Sequence, residues 1–191
     1  MAAVRAAMEL FLEQGYERTS LLQVAKRADV STATLFKRYP TKAALFESIV
    51  EEFWATDVEC SGTLPLGNPA KALRKIGLDY ALRMRRPEMQ AIYRLIVAEA
   101  PRFPDLGRLL FDKAKGLFLA RLKQYLTSET RAGGLRVPDI EIAALQFLAL
   151  IAGRAFWPEL LGPGCGGDDS AVAGIVDDAV AMMLARYAAA K

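Results

Sequence analysis

Within the seven residues Thr32 to Arg38 the sequence packs side chains able to bond a polyanion and to touch the edges of bases: Thr32, Ala33, Thr34, Phe36, Lys37 and Arg38. Threonine hydroxyls bond base edges or phosphate oxygens, and threonine and alanine methyls pack on the thymine methyl group. Lysine and arginine neutralise phosphates and release the counterions condensed around them. Residues 18 to 42 hold six bases (Arg18, Lys26, Arg27, Lys37, Arg38, Lys42) against one acid, Asp29. That is +5 in a chain whose net charge is only +3. A basic cluster on one short stretch is the footprint of a nucleic-acid contact, with a plain solvated face as the competing reading. On a short helix from Thr32 to Tyr39, Leu35 turns inward as an apolar wedge. Thr32, Ala33, Phe36 and Lys37 then lie on the faces that can enter a groove, although Phe36 fits a core position equally well. Lys42, in the first turn of the following helix, gains little from helix electrostatics there, and a phosphate partner would explain its placement.

The elements that must position these residues run from Leu10 to Phe46. Ser20 and Gln23 have capping-box spacing, so a helix can start near Leu21 with its first amides satisfied. With Leu21 as position one, the small Ala25 is fifth, where two helices approach closely. Asp29 is ninth, at the turn, and Val30 and Leu35, tenth and fifteenth, fill the wedge between the helices. Ser31 caps a second short helix and Thr41 a third. This is the register of a helix-turn-helix, which lays its second helix in the major groove of DNA.

Gly15-Tyr16, Thr19-Ser20, Val24-Ala25, Val30-Ser31, Thr34-Leu35-Phe36 and Thr41-Lys42 resemble the signature of tetracycline-repressor (TetR) type regulators over the first 54 residues. The resemblance implies an all-helical, ligand-responsive, homodimeric repressor. It implies base-side roles for Thr32, Ala33 and Phe36 and phosphate-side roles for Thr34, Tyr39 and Lys42, with Ser20, Lys37 and Arg38 completing the DNA-binding set. Glu99, Phe103-Pro104 and Gln146-Phe147 are similar to the effector domain of the AefR/AcrR-like branch. Asp29 stands where the family usually has glycine; the turn wants a positive φ, which Asp tolerates better than most residues. Phe36 stands in place of the usual tyrosine, Tyr39 in place of phenylalanine, and Leu22 where a polar side chain is common. The resemblance also implies a basic arm ahead of Ala6, and this sequence starts later than that pattern.

Composition excludes a good deal. Histidine is absent, so there is no Ser-His-Asp triad, no Cys-His pair and no histidine zinc site. Cys60 and Cys165 form no metal spacing and no disulfide framework, which points to free thiols in the cytoplasm. No glycine-rich phosphate loop follows a strand pattern; the run GPGCGG at 162–167 reads as a connection between helices. The uncharged stretch Ile142 to Gly153 is too short to span a bilayer, and Arg5, Glu9 and Glu13 rule out a signal peptide at the N-terminus. A mean hydropathy of +0.16 is high for a soluble monomer and predicts an interface or a cavity.

Beyond a breaker at residues 61–69, helical periodicity continues almost without β signal. Further helices are expected around residues 70–86, 88–100, 103–125, Ile140 to about Trp157, and 170–187. The one starting at Ile140 is apolar on nearly every face, so it must be covered on all sides. A second subunit is the expected cover, with the last helix as companion and Ala149, Ile175, Ala179, Val180 and Met183 in the seam. The aromatic and apolar residues Tyr80, Met84, Tyr93, Phe118, Phe147 and Trp157 read either as plain core or as the lining of an effector pocket. Glu99 continues an apolar stripe and Arg154 interrupts the most apolar helix. Buried charges are normally paired, so these two either meet each other or other partners, or one orients a ligand: Glu99 a cation, Arg154 an anion.

The sequence therefore predicts an all-α protein of about nine helices. Residues 1–54 form a helix-turn-helix domain, its last helix continuing to about 60, and residues 61–191 form an effector-binding and dimerisation domain. The expected function is that of a DNA-binding regulator, a repressor released from a palindromic operator by a hydrophobic small molecule. It acts as a cytoplasmic homodimer without cofactor, metal or membrane. The competing readings are a helical ligand-binding or scaffold protein with a degenerate DNA motif, and an enzyme, for which no acid-base or nucleophile constellation is visible.

Overall fold

A computed structural model of the 191-residue chain describes residues 2–55, 64–110, 115–162 and 164–189. These residues form eleven helices and no strand: α1 (Ala2–Gln14), α2 (Leu21–Arg27), α3 (Thr32–Arg38), α4 (Lys42–Ala55), α5 (Pro69–Met84), α6 (Pro87–Glu99), α7 (Pro104–Leu109), α8 (Lys115–Arg131), α9 (Ile140–Ala155), α10 (Trp157–Leu161) and α11 (Asp169–Tyr187). The stretch expected as one helix over 103–125 carries two, α7 and α8, and the short α10 follows α9 as a separate element. Cys60 and the expected extension of α4 towards residue 60 lie outside the described residues.

The chain divides into two compact units. The first comprises Met1–Glu59 and Ala91–Gly116, the second Cys60–Gln90 and Leu117–Lys191. The unit holding the helix-turn-helix thus extends beyond the first 54 residues, taking in most of α6 and all of α7.

In the first unit α1 packs on α2 and α4, and α2 on α3. The core is aromatic: Phe11, Tyr16 and Phe46 meet with ring centroids 5.1, 6.0 and 5.8 Å apart, and Phe103 stands edge-on to Tyr16 at 5.1 Å. Val24, Ala25 and Leu35 are buried where α2 meets α3. The helices start where their caps require. Ser20 Oγ accepts from Gln23 N while Gln23 Oε1 accepts from Ser20 N, Ser31 Oγ accepts from Thr34 N, and Thr41 Oγ1 accepts from Ala44 N. Asp29 takes φ +54 in the turn between α2 and α3, the left-handed conformation expected of it.

In the second unit α5 lies against α9 and α11, and α9 against α11 and α10. Gly77 makes the approach possible. A Cβ there would come within 2.7 Å of Val176 Cγ1 and 3.2 Å of Phe147 Cζ. Asn68, Asp139 and Asp168 cap α5, α9 and α11 by accepting from Lys71 N, Ile142 N and Ala171 N. A buried carboxylate, Glu129 on α8, is satisfied by the Gly67 amide at 3.0 Å and the Tyr125 hydroxyl at 3.1 Å. Burial, reinforced by the Glu129 carboxylate, pushes the Tyr125 phenol above its ordinary range.

Candidate DNA interface and partner surfaces

α3 is amphipathic with one buried residue, Leu35, and an outward face made of Thr32, Ala33, Thr34, Phe36, Lys37 and Arg38. Phe36 is 43% exposed, which removes it from the core of this chain and leaves it on the outward face. Leu22, on α2, is also exposed. The Thr34 hydroxyl lies 2.7 Å from Ser31 Oγ, so it shares the cap that starts the helix. Ser20 is exposed but engaged in the capping box. Of the six bases counted in the sequence, Arg27 is held by Glu13 in a two-bond fork at 2.9 and 2.8 Å, with Glu9 at 3.5 Å. The fork keeps the Glu13 carboxyl below its usual range. Arg18 Nε donates to Gln14 O, and Lys26 and Lys37 have no ion-pair partner among the described residues.

Two residues expected at phosphates have other work. Tyr39 is 5% exposed, a core residue with the Arg38 guanidinium 5.4 Å from its ring centroid. Lys42 Nζ donates to three backbone carbonyls, Tyr16 O at 2.7 Å and Glu17 O and Thr19 O at 3.0 Å, and sits 4.5 Å from the Tyr16 ring centroid. An ammonium has three protons, and all three are committed. Burial draws this lysine below its ordinary pKa, against the opposing pull of the Glu99 and Glu17 carboxylates. Lys42 therefore fixes the loop between α1 and α2, which explains its placement without a phosphate.

Glu99 completes the same clamp. Its Oε1 accepts from Tyr16 N at 2.9 Å, and a Cβ on Gly15, which has φ +87, would come within 2.9 Å of that oxygen. Arg102 reaches Glu17 at 2.6 Å. Glu99 belongs to the first unit and holds backbone, so neither the expected pairing with Arg154 nor an orienting role for a cationic ligand describes it. Sequence reasoning missed the clamp because its partners are backbone groups 23 to 83 positions away.

Of the expected effector residues, Tyr80, Met84, Phe118 and Phe147 are buried in the second unit, with Tyr80 and Phe118 ring centroids 5.6 Å apart. Burial pushes the Tyr80 phenol up to about 12. Tyr93 falls in the first unit and Trp157 is half exposed, stacked edge-on against Phe156. Arg154 is exposed rather than buried. Of the polar groups inside this unit, the sequence reads Arg83 as part of a solvated helix end with Arg85 and Arg86, which its burial corrects, and it does not point to Gln90 or Asp79. Arg83 is buried with its guanidinium 5.7 Å from the Phe118 ring centroid, and Gln90 Nε2 donates to Met84 O at 2.6 Å. Asp79 Oδ2 is buried with no hydrogen-bond partner among the described residues. Burial raises its carboxyl pKa against the pull of Arg121, Lys75 and Arg83.

The expected seam residues divide. Ala149 is exposed and Ile175 half-buried, but Ala179, Val180 and Met183 are buried within the chain's own core, where α11 meets α5 and α9. The outward face of α11 instead carries Gly174, Asp178, Ala181 and Met182.

Residues 3–49 match the family described as bacterial regulatory proteins, tetR family, and residues 71–189 match the AefR-like transcriptional repressor C-terminal domain. The HTH-type transcriptional regulator TcmR of Streptomyces glaucescens is 33% identical over 96 residues, and the match spans 42% of each chain. YezE of Bacillus subtilis (strain 168) is 28% identical over 144 residues, 73% of this chain and 74% of that one. Among solved structures, the flavonoid-responsive regulator FrrA superposes with a TM-score of 0.82 at 31% identity, covering 98% of this chain and 95% of its own. A TetR regulator from Agrobacterium tumefaciens shares the fold, with a TM-score of 0.81 at 23% identity over 98% of this chain and 93% of its own. A helix-turn-helix with an outward polar helix face defines a DNA-binding regulator. This chain belongs to the TetR family of helix-turn-helix transcriptional regulators and is not an enzyme. No helix among the described residues is long and apolar enough to cross a membrane.

Proposed function

We propose that the protein is a dimeric, ligand-responsive repressor of the cytoplasm, in which the outward face of α3 reads a near-palindromic operator. The observation that carries the reading is this face itself. Thr32, Ala33 and Phe36 are presented to base edges and Lys37 and Arg38 to phosphates, on a helix pinned by Leu35 and by the Ser31 cap. Thr34 lies beside them, and Ser20 borders the backbone at the start of α2. The effector is a mostly apolar molecule of drug or lipid size admitted among Tyr80, Met84, Phe118 and Phe147. Asp79 and Arg83 orient it, in place of Glu99 and Arg154. The name of FrrA extends the class to planar polyphenols, whose hydroxyls would donate to the Asp79 oxygen. Binding shifts a population between two states and releases DNA only where the ligand prefers the low-affinity one. Gel shifts with genomic fragments at about 50 to 200 mM salt test the DNA claim. Binding should weaken steeply with salt and select particular fragments. Salt-insensitive or unselective binding would contradict it.

A further inference from the structure

The hydrogen-bonding side chains at the starts of α2 and α3 are engaged within the chain. Ser20 Oγ accepts from Gln23 N and donates to Gln23 Oε1 at 3.0 Å, and that oxygen also accepts from Ser20 N and from Gln14 Nε2. The Ser31 and Thr34 hydroxyls meet at 2.7 Å, and Ser31 Oγ accepts from Thr34 N. The Arg27 guanidinium is turned back onto Glu13. Two apolar side chains stand open beside these groups, Leu22 at 60% and Phe36 at 43% exposure.

Helical spacing places both on outer faces. Leu21, Val24 and Ala25 are the buried side of α2, so Leu22 shares the opposite side with Lys26, one turn on and also exposed. On α3, Phe36 stands three residues after Ala33 and four after Thr32, so the three form one stripe, all of it exposed. A recognition helix reads bases mainly with its N-terminal residues. Bidentate bonds to guanine or adenine need Arg, Lys, Asn or Gln. The first turn of α3 has none of these, and Lys37 and Arg38 come only in its last turn. The stripe offers a threonine methyl, an alanine methyl and a phenyl ring. One exposed leucine on a surface asks for no explanation. Leu22 and Phe36 together, on the outer faces of a DNA-binding motif, match the one apolar group that the major groove displays, the C5-methyl of thymine.

We propose that Leu22 and Phe36 are specificity-determining residues, each covering the methyl group of one thymine in every half-site. The operator is then recognised chiefly through thymine methyls and not through bidentate bonds to guanine or adenine. The proposal rests on the reading of α3 as the DNA-reading helix, and adds to it Leu22 of α2 and the chemistry being read. Covering a methyl removes apolar surface of both partners from water, which is where the preference for thymine arises.

Uracil pairs as thymine does and lacks only the methyl, so synthetic duplexes separate methyl contact from base pairing. The probe is the sequence that the wild-type full chain selects from a random pool, remade with deoxyuridine at one thymine position of both half-sites at a time. Wild-type protein should lose affinity about fourfold per half-site at two positions or more, the change expected on uncovering one methyl group. Leu22→Ala should lose the preference for thymine over uracil at one of these positions and keep it at another, and Phe36→Ala should do the converse. Leu22→Met, which keeps the apolar reach, should retain both. Each variant should melt like wild type, because the side chains are exposed. A residue that only shapes the motif would weaken binding to thymine and uracil duplexes alike and leave their ratio intact. A selected half-site without thymine, uracil duplexes bound as tightly as thymine ones, or a thymine preference that survives in both alanine variants would overturn the proposal while leaving α3 as the reading helix. Failure of the wild-type chain to select any sequence would overturn both.

Discussion

The outward faces of α3 and of the α9/α11 pair are both left uncovered by the chain, and their chemistry is opposite. α3 shows threonines, a lysine and an arginine, groups that water solvates well and that a polyanion recruits by releasing counterions. The α9/α11 face shows leucine, isoleucine, methionine and glycine with Arg154, Arg186 and Asp178 among them, a largely apolar surface that water leaves poorly satisfied. The first is open because its partner is polar and binds reversibly. The second suits the dimer proposed above, in which a second copy would cover it. Exposure alone does not separate the two; the mismatch between side chain and solvent does.

The largest effect expected from this comparison falls on the inner side of α11. Val180→Glu or Met183→Glu places a charge in the chain's own core and should cost on the order of 4 kcal/mol or more. In thermal melts that is a fall of roughly 8–16 °C. Met182→Glu, one position away on the outer side, should leave the melt of the monomer nearly unchanged and abolish the dimer. A well-folded monomeric Val180→Glu protein would erase the distinction between the two sides of the helix.

Lys42→Ala comes next. Losing a charged donor to three carbonyls should cost about 2 kcal/mol of stability, with no change in the salt dependence of DNA binding. Lys37→Ala should do the reverse, leaving the melt alone and lowering the salt slope by about one unit. Exchange of these two outcomes would return Lys42 to the phosphate backbone.

The smallest effect is a pH dependence. Tyr80 is pushed by burial from 10.0 to about 12. The unfolded chain ionises this phenol first, so its contribution is fully present below about pH 10 and is lost as the pH rises towards 12. Alkaline melts should show that slope, and Tyr80→Phe should remove its share.

The starts of α2, α3 and α4 were legible from Ser20, Ser31 and Thr41 because capping is local chemistry, settled within three or four residues. Asp29 was legible for the same reason. The face of α3 was legible because a single apolar residue, Leu35, sets its phase. α11 gave no such phase. Alanine, valine and methionine occur on nearly all of its sides, so Ala179, Val180 and Met183 read as seam while they pack on α5 and α9. Lys42 and Glu99 were misread because their partners are distant main-chain groups that no side-chain pattern announces. Glu129 did leave a signal, an acid on an apolar stripe one turn from Tyr125, and it marked a structural clasp on Gly67.

The central claim is that α3 reads base sequence, and selection of bound DNA from a random pool tests it most directly. The wild-type protein should enrich an inverted repeat whose half-sites are spaced by whole helical turns. Thr32→Ala should enrich a repeat of the same spacing with relaxed preference at one base pair of each half-site, a change of about 1–3 kcal/mol. No enrichment by the wild-type protein, or an identical motif from Thr32→Ala and Ala33→Ser variants alike, would contradict the account.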